Sequence, residues 1–280
     1  MRVNGRMMKR FALSALMLLA ACDKPAAPPA PSPARPQATA PAAPAAPAAP
    51  SAPASAPAAA PVVIADKSAL INFSYQWPAE AAAIPALDAR LRADARTSRQ
   101  HAINGAREDK RARPADAPFF AHEMQKTWTV EGEAAGLLAL RDEFATFTGG
   151  AHGMSGFEAI LWDRAAGRDI TPWSLFTDRA RALAALKARF CPALNAERAA
   201  RRGAPVTTGE DWDVACPDIT KQIVIPSDVK NGRFTSLRVL IGPYEAGPYA
   251  EGSYDVNLPV DAAILALLRP ERRGAFAARP

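Results

Sequence analysis

The chain has 280 residues, with 34 Lys and Arg against 28 Asp and Glu and a formal net charge of +6; that length holds one sizeable core or two small lobes. Four of the cations, Arg2, Arg6, Lys9 and Arg10, fall in the first ten residues. Without them the remainder carries only about two positive charges, which gives no argument for nucleic acid as a partner.

Those N-terminal cations precede the apolar run FALSALMLLAA, residues 11–21. A charged start and an apolar stretch too short to span a bilayer read as a secretory signal over residues 1–21. The run ends in LAAC, Leu19 to Cys22, which resembles the lipobox of bacterial lipoproteins. The resemblance implies diacylglycerol transfer to the Cys22 sulfur, cleavage before Cys22 and acylation of the new amine. Several acyl chains make a stable membrane anchor. An ordinary secretory signal with a chance cysteine is the other reading. The expected location is extracytoplasmic, in the periplasm. Asp23 favours the inner membrane by resemblance to enterobacterial sorting, but inner and outer both stay open. Residues 25–61 are almost entirely Pro, Ala and Ser, with Arg35 the only charge. Such a segment buries no core and favours extended polyproline II. Residues 22–61 therefore read as a lipidated tether, whose low-complexity tract would reach on the order of 110 Å if fully extended.

The folded part begins near residue 62. ALINFSYQW (69–77) is β-branched and aromatic and predicts a strand. Residues 84–111 put Ile84, Leu87, Leu91 and Ala95 on one stripe, predicting an amphipathic helix that lies on a sheet; His101, late in it, reads as a surface residue. EMQKTWTVE (123–131) alternates, with Met124, Trp128 and Val130 on one face and Gln125, Thr127 and Thr129 on the other. LLALRDEFATF (137–147) alternates too, opposing Leu138, Leu140 and Phe144 to Arg141 and Glu143. TGGAHG (148–153) separates it from a strand at 154–163, which the turn RAAGRD closes. A helix follows at 178–190, then strands at 219–225, 233–241 and 254–260 and a short helix at 261–268. Short turns between strands demand antiparallel pairing. The expected fold is α+β, an antiparallel sheet with helices packed mainly on one face, and the two three-strand groups allow two sub-lobes.

Cys191 and Cys216 form an even pair in an exported chain. A disulfide between them closes a loop of about 26 residues and stabilises by roughly 3 kcal/mol in the chain-entropy model. Two free buried thiols are the alternative. A metal pair is not expected, because no histidine lies in the loop.

Two stretches carry unusual chemistry. In TGGAHG, Gly149 and Gly150 suit positive φ or close backbone approach in a bulged hairpin. His152 is one of only three histidines, and a zinc site needs three or four ligands. His101 and His122 show no HExxH or HxH spacing, although His122 begins a strand and could approach His152 across the sheet. There is no GxSxG or P-loop motif, so no catalytic residue, metal or cofactor is assigned. In IGPYEAGPYAEGSY (241–254), Pro243 and Pro248 stiffen a loop that offers Tyr244, Glu245 and Tyr249. Rigid Tyr- and Gly-rich loops make protein- or glycan-binding surfaces, but either tyrosine could equally cap the core.

FTGGAHG, a strand, GRDITPWSLF, a helix, then VLIGPYEAGPYAEG and DVNLPV is similar to the C-terminal extracytoplasmic domain of RsiV-like anti-sigma factors, the domain-of-unknown-function family 3298. That domain also occurs in bacterial lipoproteins and beside polysaccharide deacetylase domains. The resemblance covers residues 120–268. Residues 62–119 resemble the smaller PdaC/RsiV-type segment that precedes it, and 269–280 form a tail. It implies an α+β fold and, from the anti-sigma members, lysozyme binding. This sequence departs from them in lacking a sigma-binding segment, a transmembrane helix and a deacetylase domain. Two functions are therefore expected. One is an envelope-tethered, non-enzymatic module for a lysozyme-like protein or peptidoglycan, binding through Gly149, Gly150, His152, Tyr244, Glu245 and Tyr249. The other is a small envelope hydrolase using His152 with a carboxylate such as Glu158 or Glu245, with or without a metal.

Overall fold

A computed structural model describes residues 59–206 and 209–279. The expected signal peptide, Cys22 and all but the last three residues of the expected tether lie outside the described residues.

Two sheets organise the chain. The first has six strands in the order β1 (Val62–Lys67), β2 (Ile71–Trp77), β3 (His122–Ala134), β4 (Leu137–Phe147), β5 (Met154–Asp163) and β6 (Arg168–Ile170). It spans the boundary expected at residue 120 without a break. All neighbours pair antiparallel except β2 and β3. Between those two, the short helix α1 (Ala79–Ala82) and the 28-residue helix α2 (Pro85–Ala112) carry the chain back to the end it started from, so β3 must run parallel to β2. The wholly antiparallel expectation is corrected at this one pair. The second sheet is an antiparallel set of three, β7 (Ile223–Lys230), β8 (Arg233–Ile241) and β9 (Tyr254–Pro259).

Each sheet carries its long helix on one face. Leu87, Leu91 and Ala95 of α2 bury against Phe73, Tyr75, Trp128, Leu138, Leu140 and Ile160. The opposite face of the six-stranded sheet meets the three-stranded one. Gly132 permits this approach, since a Cβ there would stand 2.5 Å from Val229 and 2.8 Å from Phe234. Beside it the contact is ionic: Arg141 and Arg238 share Glu131 and Asp255. Helix α3 (Arg179–Arg202) packs on the three-stranded sheet, and α4 (Ala262–Leu267) closes that core. The two sub-lobes thus have separate hydrophobic clusters on either side of one sheet.

Helix α3 extends twelve residues beyond the expected end at Arg189–Phe190, through Pro192. The reason is its buried stripe, Ala182, Leu186, Phe190, Leu194 and Arg198, which keeps i,i+4 spacing past the proline. Asp178 caps its start, accepting the Arg181 amide at 3.1 Å. The Cys191–Cys216 disulfide is formed, with Cα atoms 5.5 Å apart, and ties α3 to the segment before β7.

Candidate functional site

The β4–β5 loop and the β8–β9 loop meet. Gly149 and Gly150 both adopt φ of +98°, a conformation open to glycine at low cost. They turn the chain so that His152 stands exposed beside Tyr249, the rings stacked with centroids 3.9 Å apart and 21° between planes. The Tyr249 hydroxyl donates to the Gly153 carbonyl at 2.9 Å. His152 Nδ1 lies 2.8 Å from the same carbonyl, and its Nε2 lies 3.3 Å from the Tyr244 hydroxyl. A carbonyl only accepts, so Nδ1 donates to Gly153, while the Tyr244 hydroxyl can either donate to Nε2 or accept from it. Tyr244 is 48% exposed and holds φ at +70°, a region bulky residues avoid. Its ring centroid is 5.5 Å from that of Tyr249 and 6.3 Å from that of His152. Two stretches singled out separately in the sequence thus form one cluster of three rings. Glu245 is exposed beside Tyr244, with its carboxylate turned towards Gly242.

Arginines at the end of α3 hold the second loop. Arg198 is fully buried and donates to the Ala246 carbonyl at 2.8 Å, to the Val214 and Ala215 carbonyls at 3.0 Å each, and to Asn195 Oδ1 at 3.0 Å. Arg202 pairs with Glu251 at 2.8 and 3.0 Å and donates to the Asp213 carbonyl. Glu251 in turn accepts from the Tyr254 hydroxyl. Sequence reasoning missed this clamp. Its signal was Arg198 standing in register with Phe190 and Leu194.

A second polar group, also missed, lies beneath α2. Lys126 is 3% exposed and donates to Asp94 at 2.9 Å and Glu158 at 2.8 Å. The Tyr75 hydroxyl donates to Asp94 at 2.6 Å and accepts from Trp128 Nε1 at 2.8 Å. Burial would lower the Lys126 ammonium, but Glu158 and Asp94 overcome it and hold the pKa above its ordinary value. Asp142, fully buried nearby, has no partner of hydrogen-bond geometry for either oxygen. The Thr127 amide lies close enough only to favour the anion slightly, and burial pushes the Asp142 pKa up to about 7 against the pull of Lys126. Both Lys126 and Asp142 occupy positions where the strand alternation called for apolar residues, which was the signal that could have found them.

This arrangement engages Glu158 with Lys126. His152 faces a carbonyl and a phenol rather than a carboxylate. His122 is buried on the α2 side with Nε2 3.2 Å from Asp109, lining a cavity of about 430 Å³ that also touches His101. The structure brings His101 and His122 together there and leaves His152 apart. Among the described residues, no group of three or more His, Cys, Asp or Glu side chains is placed to hold a metal.

Residues 64–155 match the family model described as deacetylase PdaC, a span running from β1 to just past TGGAHG. No curated protein matches the chain. Among solved structures, a member of the DUF3298 family from Bacteroides fragilis NCTC 9343 is similar at 17% identity, over 77% of this chain and 95% of that one, with a TM-score of 0.47. A DUF3298 family protein from Pseudomonas aeruginosa PAO1 is similar at 17% identity, over 79% and 98%, also with a TM-score of 0.47. The PdaC match covers most of the segment 62–119 that the motifs likened to the PdaC/RsiV type and runs on through β3 and β4.

Proposed function

We propose that this chain, whose residues 64–155 match the PdaC family model, is a non-enzymatic binding protein tethered outside the cytoplasmic membrane by lipid on Cys22. Its ligand docks on the His152–Tyr244–Tyr249 platform. One observation carries this: two loops far apart in sequence converge to present three rings at the surface, with Tyr244 held at φ +70°. An unfavourable backbone angle at an exposed aromatic costs on the order of 1–3 kcal/mol and persists where its placement is useful. Rigid aromatic rings supply contact area at little entropic cost. The resemblance to RsiV-like domains makes a lysozyme-like protein one ligand to test, and cell-wall glycan the other. The hydrolase alternative asks for a carboxylate or metal on His152, whose two nitrogens are occupied by Gly153 and Tyr244.

The test is titration of the purified protein with lysozyme and with soluble peptidoglycan fragments. Tyr244→Ala and Tyr249→Ala are expected to weaken binding at least tenfold while preserving the fold, as truncation of an aromatic hot spot costs about 2 kcal/mol or more. If both variants bind every ligand as tightly as the parent, the platform is not the binding face.

A further inference from the structure

The platform does not end at its rings. Tyr249 and Gly153 line a depression of about 210 Å³ whose far wall is Gln125 and Ala145. Those two residues also line the next depression, of about 260 Å³, with Thr127, Thr129, Arg141 and Glu143. The two form one trough on the face of β3 and β4 that the three-stranded sheet leaves open. Side chains two apart on β3 project from it about 7 Å apart. Beyond Phe147 and Met154 at the platform end, its floor carries mostly hydrogen-bonding side chains, uneven in their chemistry. Gln125 is exposed and offers both a donor and an acceptor. Thr127 Oγ1 accepts from Gln76 at 2.9 Å, which leaves its own proton to donate outward. Glu143 is exposed and only accepts. Arg141 is committed to Glu131 at 3.1 Å and Asp255 at 3.2 Å.

We propose that this trough extends the platform and holds a neutral glycan chain, one sugar ring packed against Tyr249 and the following sugars laid along Gln125, Thr127 and Glu143. The proposal rests on the platform being the binding face. Alternating donors and acceptors match a ligand whose hydroxyls do both, and the C–H face of a sugar packs on an aromatic ring. A protein partner would need an apolar centre; Phe147 and Met154 stand only at the platform end, and the floor beyond them offers only Ala145. A phosphate or uronate polymer would meet the Glu143 carboxylate, with the Arg141 guanidinium already paired.

The experiment is calorimetric titration of the purified protein with chitotetraose, the neutral N-acetylglucosamine tetramer, alongside lysozyme. Saturable chitotetraose binding is expected, weakened about three- to tenfold by Gln125→Ala and by Thr127→Val, each removing one hydrogen-bonding group. Valine keeps the shape and strand preference of threonine, and unchanged melting temperatures will exclude misfolding. Lysozyme binding should be unaffected by both trough variants. Absence of chitotetraose binding, or binding that both trough variants leave intact, overturns the trough. Lysozyme binding lost in Tyr244→Ala, without any chitotetraose binding, overturns the trough and leaves the platform standing. If Tyr244→Ala and Tyr249→Ala alter neither ligand, the platform itself fails.

Discussion

Asp142 sits where an ionised carboxylate is costly. Its folded pKa is pushed up to about 7 from 3.8 by burial. A raised carboxylate pKa means that the folded state holds the proton to higher pH than the unfolded one. Stability is therefore lost as pH rises from about 4 through about 7. A rise of that size is worth as much as about 4 kcal/mol. Asp142→Asn removes the titration. The stability of that variant relative to the parent should be greatest at pH 8 and shrink steadily towards pH 4. Parallel stability curves in urea across that range would show that Asp142 does not titrate in this way. At the β4–β5 loop the expectation separates backbone from side chain. Gly149→Val or Gly150→Val, forced to φ +98°, should cost about 1 kcal/mol or more. His152→Ala, exposed at the surface, should change folding little. Valine variants as stable as the parent would remove the backbone account.

At the scale of elements, alternation and stripes made most of the strands legible. β3, β4, β5 and β8 lie within about three residues of where their patterns placed them. β1 and β6 were not foreseen. β1 is an edge strand of half-buried and exposed residues with no clear apolar face, and three-residue β6 lies at the end of a turn motif. The second half of α3 was hidden by Pro192 and by arginines that read as solvent-facing. The stripe register with Phe190 and Leu194 marks Arg198 as inward-facing, but nothing local reveals that it binds carbonyls as far as 48 residues away. The two ring-bearing loops were legible one at a time; their meeting depends on how the sheets pack, through Gly132. The clamp makes a firm prediction. Arg198→Met leaves the carbonyls of Val214, Ala215 and Ala246 without their donor, and at about 1–3 kcal/mol per unsatisfied group it should cost about 3 kcal/mol or more. Arg198→Lys should recover only part, since an ammonium cannot reproduce the guanidinium fork. Denaturant unfolding checks both, and a methionine variant within about 1 kcal/mol of the parent would rule out the clamp.

For the whole molecule, attachment is the expectation that matters most. Cys22→Ala should leave the protein in the soluble fraction or as uncleaved precursor, because a single weak anchor does not replace several acyl chains. Unchanged membrane attachment and processing in that variant would remove the lipid anchor. The folded part has a further property that comes from where Arg198 is placed. Its guanidinium binds the residues next to Cys216 and also the loop between Tyr244 and Tyr249. Oxidation state and ring placement are therefore coupled. Once the disulfide is reduced, the segment around Ala215 is no longer tethered to α3, and Tyr244 can relax out of its positive φ. The reduced protein then becomes a population of loop conformers, of which only a fraction f can accept ligand. Its apparent Kd rises by 1/f while the intrinsic affinity of the competent conformer stays the same. Titrating the same ligand before and after reduction measures f directly, and equal affinities would mean that the loop keeps its shape without the bridge.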